Sequence, residues 1–151
     1  MLTNKEKTLI EDNLNAEYIC IRKYEQYAAM ATDPQLKQVF TDLVTKEQQH
    51  ATTLKNMLTQ NGSISENMLE TYTKPSGDLS NIQSSLGSTD AQLLNDALGW
   101  EKHVSSSYNT AVLESVDANI RKQLQHIQQE EQDHAQTLFN AMNSRGWYKT
   151  S

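Results

Sequence analysis

The stretch LKQVFTDLVTKEQQHATTLKNM, residues 36–57, decides the fold, because its spacing is helical and it is polar where that spacing calls for apolar side chains. Leu36, Phe40, Leu43, Glu47, His50, Leu54 and Met57 recur at intervals of three and four, the stripe that one face of an α-helix turns toward a core. Two steps of that stripe, Glu47 and His50, are ionisable. Residues 120–141, IRKQLQHIQQEEQDHAQTLFNA, repeat the pattern with Ile120, Leu124, Ile127, Glu131, His134, Leu138 and Ala141.

The offset between the two stretches is 84 residues, and it holds well beyond them. Sliding residues 12–62 onto 96–146 gives thirteen identities without a gap, among them Asp12 with Asp96, Glu17 with Glu101, Tyr24 with Tyr108 and Gly62 with Gly146. The partner helices carry the same anomaly in simpler form. Leu14, Glu17, Ile21, Tyr24 and Ala28 make one stripe, and Leu94, Leu98, Glu101, Ser105, Tyr108 and Val112 the other, each with one Glu and one Tyr. The halves are expected to be related by a pseudo-twofold axis.

Breakers and caps bound the elements. Thr3 with Glu6 reads as a capping box that opens a first helix running to about Thr32, and Asp33-Pro34 supplies the cap and first-turn proline of a second, which ends near Asn61-Gly62. Thr89 with Gln92 opens a third helix from Asp90 to about Val116. Asp117 caps a fourth that ends at Arg145-Gly146. Between the hairpins the periodicity fades, with a turn at Lys74-Pro75-Ser76-Gly77 and at most a short helix. The expected organisation is a single domain over 1–151: helix hairpin 3–61, crossover 62–89, helix hairpin 90–145 and a short aromatic tail 146–151. Two short connections around one long one give an all-α, up-down four-helix bundle of the ferritin-like kind, with the long crossover between the second and third helices.

Composition narrows the partners. Among 151 residues, 13 are basic and 19 acidic, for a net charge of -6, and there is no cluster of Lys and Arg, which argues against nucleic acid and anionic lipid. No apolar run approaches the roughly 20 residues that span a bilayer, and Met1–Ile10 lacks the apolar centre of a signal peptide, so cytoplasmic synthesis is expected. Cys20 is the only cysteine. It cannot form an internal disulfide or a rubredoxin-type iron centre, and with Met30 it is expected to fill space.

Glu17, Glu47, His50, Glu101, Glu131 and His134 thus point into one core. A buried, unpaired carboxylate costs several kcal/mol, and four repel one another, so the set calls for positive charge. Two divalent cations balance four Glu in formal count, and each gains one imidazole nitrogen. Glu-x-x-His on two helices with one Glu from each of the other two is the ligand set of dinuclear carboxylate bundles. Oxygen-rich donors with one imidazole per ion suit iron first and manganese second, while zinc also accepts such donors. Glu47 and Glu131 are expected to bridge the ions, and Tyr24 and Tyr108 to donate hydrogen bonds to the carboxylates. His103, His126, Glu130 and Asp133 lie off the stripes and are expected in solvent. Trp147 and Tyr148 either cover the bundle or meet a partner.

Two families resemble these residues. The first half, with Glu17, Tyr24, Asp33-Pro34, Phe40 and Glu47-Gln-Gln-His50, resembles the rubrerythrin and ferritin-like superfamily. The second half, from Trp100-Glu-Lys-His-Val-Ser-Ser-Ser-Tyr108 through His126-Ile-Gln-Gln-Glu-Glu-Gln-Asp-His134 to Gly146-Trp-Tyr148, resembles the Coat F family of spore coat proteins. The second resemblance implies residence in the spore coat among other coat proteins, with the metal pair serving to hold the bundle together. The first implies a di-iron or di-manganese oxidoreductase acting on peroxide or dioxygen. Ferritin-like families also imply a homodimer through helix faces.

Overall fold

A computed structural model describes residues 1–62 and 89–150, so the readings made for the crossover, including the turn at Lys74–Gly77, lie outside the described residues. Four helices form: α1 Asn4–Met30, α2 Pro34–Gln60, α3 Asp90–Glu114 and α4 Ala118–Asn143. At 1.5 Å per residue each is about 40 Å long.

Local chemistry sets their ends. Thr3 and Glu6 make the reciprocal capping box on α1, and Thr89 and Gln92 make it on α3. The Asp33 and Asp117 side chains accept from the first free backbone N–H groups of α2 and α4, at Gln35 in one case and at Asn119 and Ile120 in the other. Gly62 and Gly146 adopt φ of 64° and 70°, the left-handed conformation a helix end favours and only glycine enters freely. The first and third helices stop two residues short of the expected Thr32 and Val116, because Ala31 and Ser115 turn to extended ψ there.

Contacts at both ends fix the topology. Near the start of α1, Lys5 pairs with Glu114 at the end of α3, while Asp90 at the start of α3 reaches Thr32 and Asp33 at the end of α1. Helix α1 is therefore antiparallel to α3 as well as to α2, and Gly62 and Thr89 lie at opposite ends of the bundle. The helices form a ring in the order α2, α1, α3, α4, which closes only loosely between α2 and α4. A groove follows that seam.

Apolar layers fill the interior on both sides of a polar centre. Tyr24 and Tyr27 close around Phe40, at ring separations of 6.0 and 5.5 Å. Ile10, Leu14, Leu54, Met57, Leu58 and Leu124 are buried. The α2 stripe is buried in full, whereas three others shift by one residue: Cys20 and Tyr27 replace Ile21 and Ala28, Val104 replaces Ser105, and Met142 replaces Ala141. A period of 3.6 residues drifts against any fixed 3-4 pattern, and neighbours decide each step. Cys20 is drawn inward beside Trp100, whose indole N–H donates to its sulfur at 2.6 Å. Among the described residues no helix is long and apolar enough to cross a membrane.

Candidate metal centre

The six inward-pointing residues meet at mid-bundle. Glu17, Glu47, Glu101 and Glu131 have no exposed surface, and His50 and His134 are 2% and 7% exposed. Two sets of ligand atoms form, Glu17, Glu47, His50 and Glu131 in one and Glu47, Glu101, Glu131 and His134 in the other, with the atoms of each set all within 4.8 Å of one another. Glu47 and Glu131 stand in both sets. The imidazoles face each other with ring centres 5.5 Å apart and 20° between planes.

Both histidines turn Nδ1 inward. Nδ1 of His50 lies 2.9 Å from Glu131 and 3.2 Å from Glu47, and Nδ1 of His134 lies 2.9 Å from Glu47. The tyrosines serve the carboxylates of the other half: Tyr24 donates to Glu101, and Tyr108 to Glu17. The second oxygens of Glu17, Glu101 and Glu131 accept no hydrogen bond. Buried carboxylate oxygens of this kind are expensive unless something positive meets them, and all three belong to residues of the two ligand sets. The donor set therefore fits a pair of divalent cations.

Protons can stand in for such ions. Burial, followed by the neighbouring Glu47, pushes the Glu17 carboxyl up to about 8. Burial and the contact with Glu131 raise Glu101. Burial and Glu17 also press Glu131 upward, but its contacts with Glu101, His134 and His50 outweigh them and hold it low. For the imidazoles burial disfavours the charge, yet the carboxylates around them prevail: His50 rises far above its ordinary value and His134 rises to about 12. Protons held by Glu17, Glu101 and the two imidazoles thus offset negative charge in the metal-free cluster.

One residue of the site escaped the sequence reading. Glu130, expected in solvent, is half-buried and lies 2.6 Å from Nε2 of His50, with its other oxygen 3.2 Å from Nε2 of the exposed His126. Position 130 falls beside the α4 stripe and not on it, so periodicity hides it. The available signal was His126, four residues earlier on the same face. His103 is exposed as expected, against Trp100. Asp133 is exposed as well. In the tail, Tyr148 packs edge-on against Phe139 at 4.9 Å and lines a groove between α3 and α4 that reaches Glu101. Trp147 is 40% exposed.

Comparison with known proteins agrees with this architecture. The profile described as a domain of unknown function (DUF2383) matches residues 5–114. The Coat F domain matches residues 89–151, the part of the chain whose sequence resembles that family. A conserved hypothetical protein from Mycobacterium tuberculosis superposes with a TM-score of 0.76 at 16% identity, over 92% of this chain and 98% of that one. A candidate spore coat protein from Bacillus halodurans C-125 gives 0.79 at 13% identity, over 99% and 93%. A two-domain protein from Anabaena variabilis, with DJ-1/ThiJ/PfpI-like and ferritin-like domains, gives 0.73 at 16% identity; the match takes in 99% of this chain and 40% of that one. At these identities the likeness is one of fold. No curated protein matches the chain.

Proposed function

Because the chain belongs to the DUF2383 family and carries a Coat F match over its second half, we propose that it is a ferritin-like protein of the spore coat whose bundle core holds a dinuclear metal–carboxylate centre. One observation carries the metal reading: two interlocking ligand sets share Glu47 and Glu131 and include buried carboxylate oxygens with no hydrogen-bond partner. In this reading Glu17 and His50 hold one ion, Glu101 and His134 the other, and Glu47 and Glu131 both. Iron is the first candidate, with manganese and zinc as alternatives. Tyr24 and Tyr108 orient the terminal carboxylates, and the leucine and aromatic layers on either side keep bulk water out. Other coat proteins, and a second copy of the chain, are the partners this reading anticipates. Cytoplasmic synthesis followed by incorporation into the coat is the corresponding route.

The second reading is an oxidoreductase, and the grooves favour it. Grooves of about 470 and 310 Å³ along the α2–α4 seam are lined by His50 and His134 respectively, so each groove ends at a candidate ligand. A pair of iron or manganese ions would supply redox exchange with peroxide or dioxygen. Elemental analysis of protein purified without a nickel column tests the centre itself, and about two iron or manganese ions per chain is the expected result. Peroxide consumption by the iron-loaded protein then separates the readings: turnover favours the enzyme, while intact, inert metal favours a structural centre. Protein that retains no metal under any loading condition defeats both.

A further inference from the structure

Glu130 breaks the twofold relation of the centre. His50 turns Nδ1 toward the buried carboxylates and Nε2 toward Glu130. An ionised carboxylate can only accept, so the proton of that contact sits on Nε2 and Nδ1 is the nitrogen left to face an ion. Glu130 is itself held between a buried and an exposed imidazole on the wall of the α2–α4 groove. Among the described residues His134 shows no such partner: its contacts with Glu47, Glu101 and Glu131 all run through Nδ1. The residue that corresponds to Glu130 in the repeat is Lys46, which lines the same groove as His134 and whose ammonium has no acceptor to offer.

We propose, resting on the dinuclear reading above, that Glu130 is a positioning residue for His50 and that the two ion positions are therefore unequal. The position made by Glu17, Glu47, His50 and Glu131 fills first and holds its ion more tightly than the one made by Glu47, Glu101, Glu131 and His134. A carboxylate behind a ligating imidazole fixes the ring and raises its basicity, and losing it typically costs about 10–100-fold in metal affinity.

The test is a titration of metal-free protein with cobalt(II), followed by visible absorption and by calorimetry. Wild type should take up cobalt in two resolved steps, with Glu17→Gln abolishing the tighter and Glu101→Gln the weaker. Glu130→Ala should weaken the first step about 10–100-fold and leave the second in place. Glu130→Gln, which keeps an acceptor oxygen, should recover part of the loss. Lys46→Glu should tighten the second step and bring the two together, a gain that damage to the fold cannot produce. Melting of each metal-free variant reports on folding separately. Two equivalents bound in one unresolved step, or a first step that neither Glu130 variant moves, overturns the inequality alone; wild type that binds no cobalt overturns the dinuclear reading with it.

Discussion

Tyr24 gives its hydroxyl hydrogen bond not to Glu17, seven residues earlier on its own helix, but across the bundle to Glu101. Tyr108 returns the arrangement to Glu17. Each hairpin thus supplies the donor that satisfies a buried carboxyl of the other. Replacing either tyrosine by phenylalanine keeps the ring and deletes one donor. Tyr24→Phe and Tyr108→Phe should each lower the unfolding free energy of the metal-free protein by about 1–3 kcal/mol, read from urea denaturation. Equal stability in wild type and both variants would show that these contacts contribute nothing.

Sharing of Glu47 and Glu131 between the two ligand sets predicts a graded loss of metal. Glu17→Ala should leave about one ion per chain, whereas Glu47→Ala should leave less than one, since both ions lose a ligand. Metal content by elemental analysis decides between this and two independent sites, for which both variants would keep one.

The protonation pattern gives metal-free protein an unusual pH dependence. Glu17 binds its proton more tightly folded, near 8, than its ordinary 4.5, so the stability it contributes is full below 4.5 and is lost as pH rises through 8. Glu101 acts in the same direction. His134, raised to about 12 from 6.5, contributes stability that is full below 6.5 and drains away toward 12. The melting temperature of metal-free protein should therefore fall between pH 5 and pH 9. Metal uptake must displace these protons, so affinity should rise over the same range, and calorimetry in buffers of different ionisation enthalpy should detect proton release.

Glu6 behaves in the opposite way. Its carboxylate accepts from the Thr3 N–H at 2.8 Å and, across the bundle, from the N–H groups of Val116 and Asp117 at 2.7 and 3.0 Å. Burial pushes its pKa up, but these bonds prevail and hold it at about 2. The stability it contributes is present above 4.5 and disappears as pH falls toward 2. Glu6→Gln should flatten that acid limb in a melting series. Glu6→Ala, which strands the two loop N–H groups, should cost about 1–3 kcal/mol at neutral pH.

Sequence made the helices and the ligand set legible for a physical reason: capping chemistry is local, and a charged residue on an apolar stripe stands out against its neighbours. Thr3–Glu6, Thr89–Gln92 and Asp33-Pro34 each mark a helix start that needs no tertiary partner. What stayed hidden depends on the relation between helices. That Tyr24 reaches Glu101 and that Glu130 reaches His50 follow from how α3 lies against α1 and how far α2 stands from α4, and neither shows in a periodicity. The Coat F likeness was legible in the second half because Trp100, residues 102–107 and Gly146-Trp-Tyr148 ligate no metal and so carry information independent of Glu101 and Tyr108.

Glu6 and Asp90 occupy equivalent places in the 84-residue repeat, and each clasps the interhelical turn of the opposite hairpin. Two separate, identical hairpins joined by such reciprocal clasps would be bound by symmetry to treat both ions alike. A continuous polypeptide is released from that degeneracy, since a change such as Lys for Glu at positions 46 and 130 then alters one side only. Covalent linkage of the halves is thus what allows the centre to be lopsided while its scaffold stays close to its own image under a half-turn.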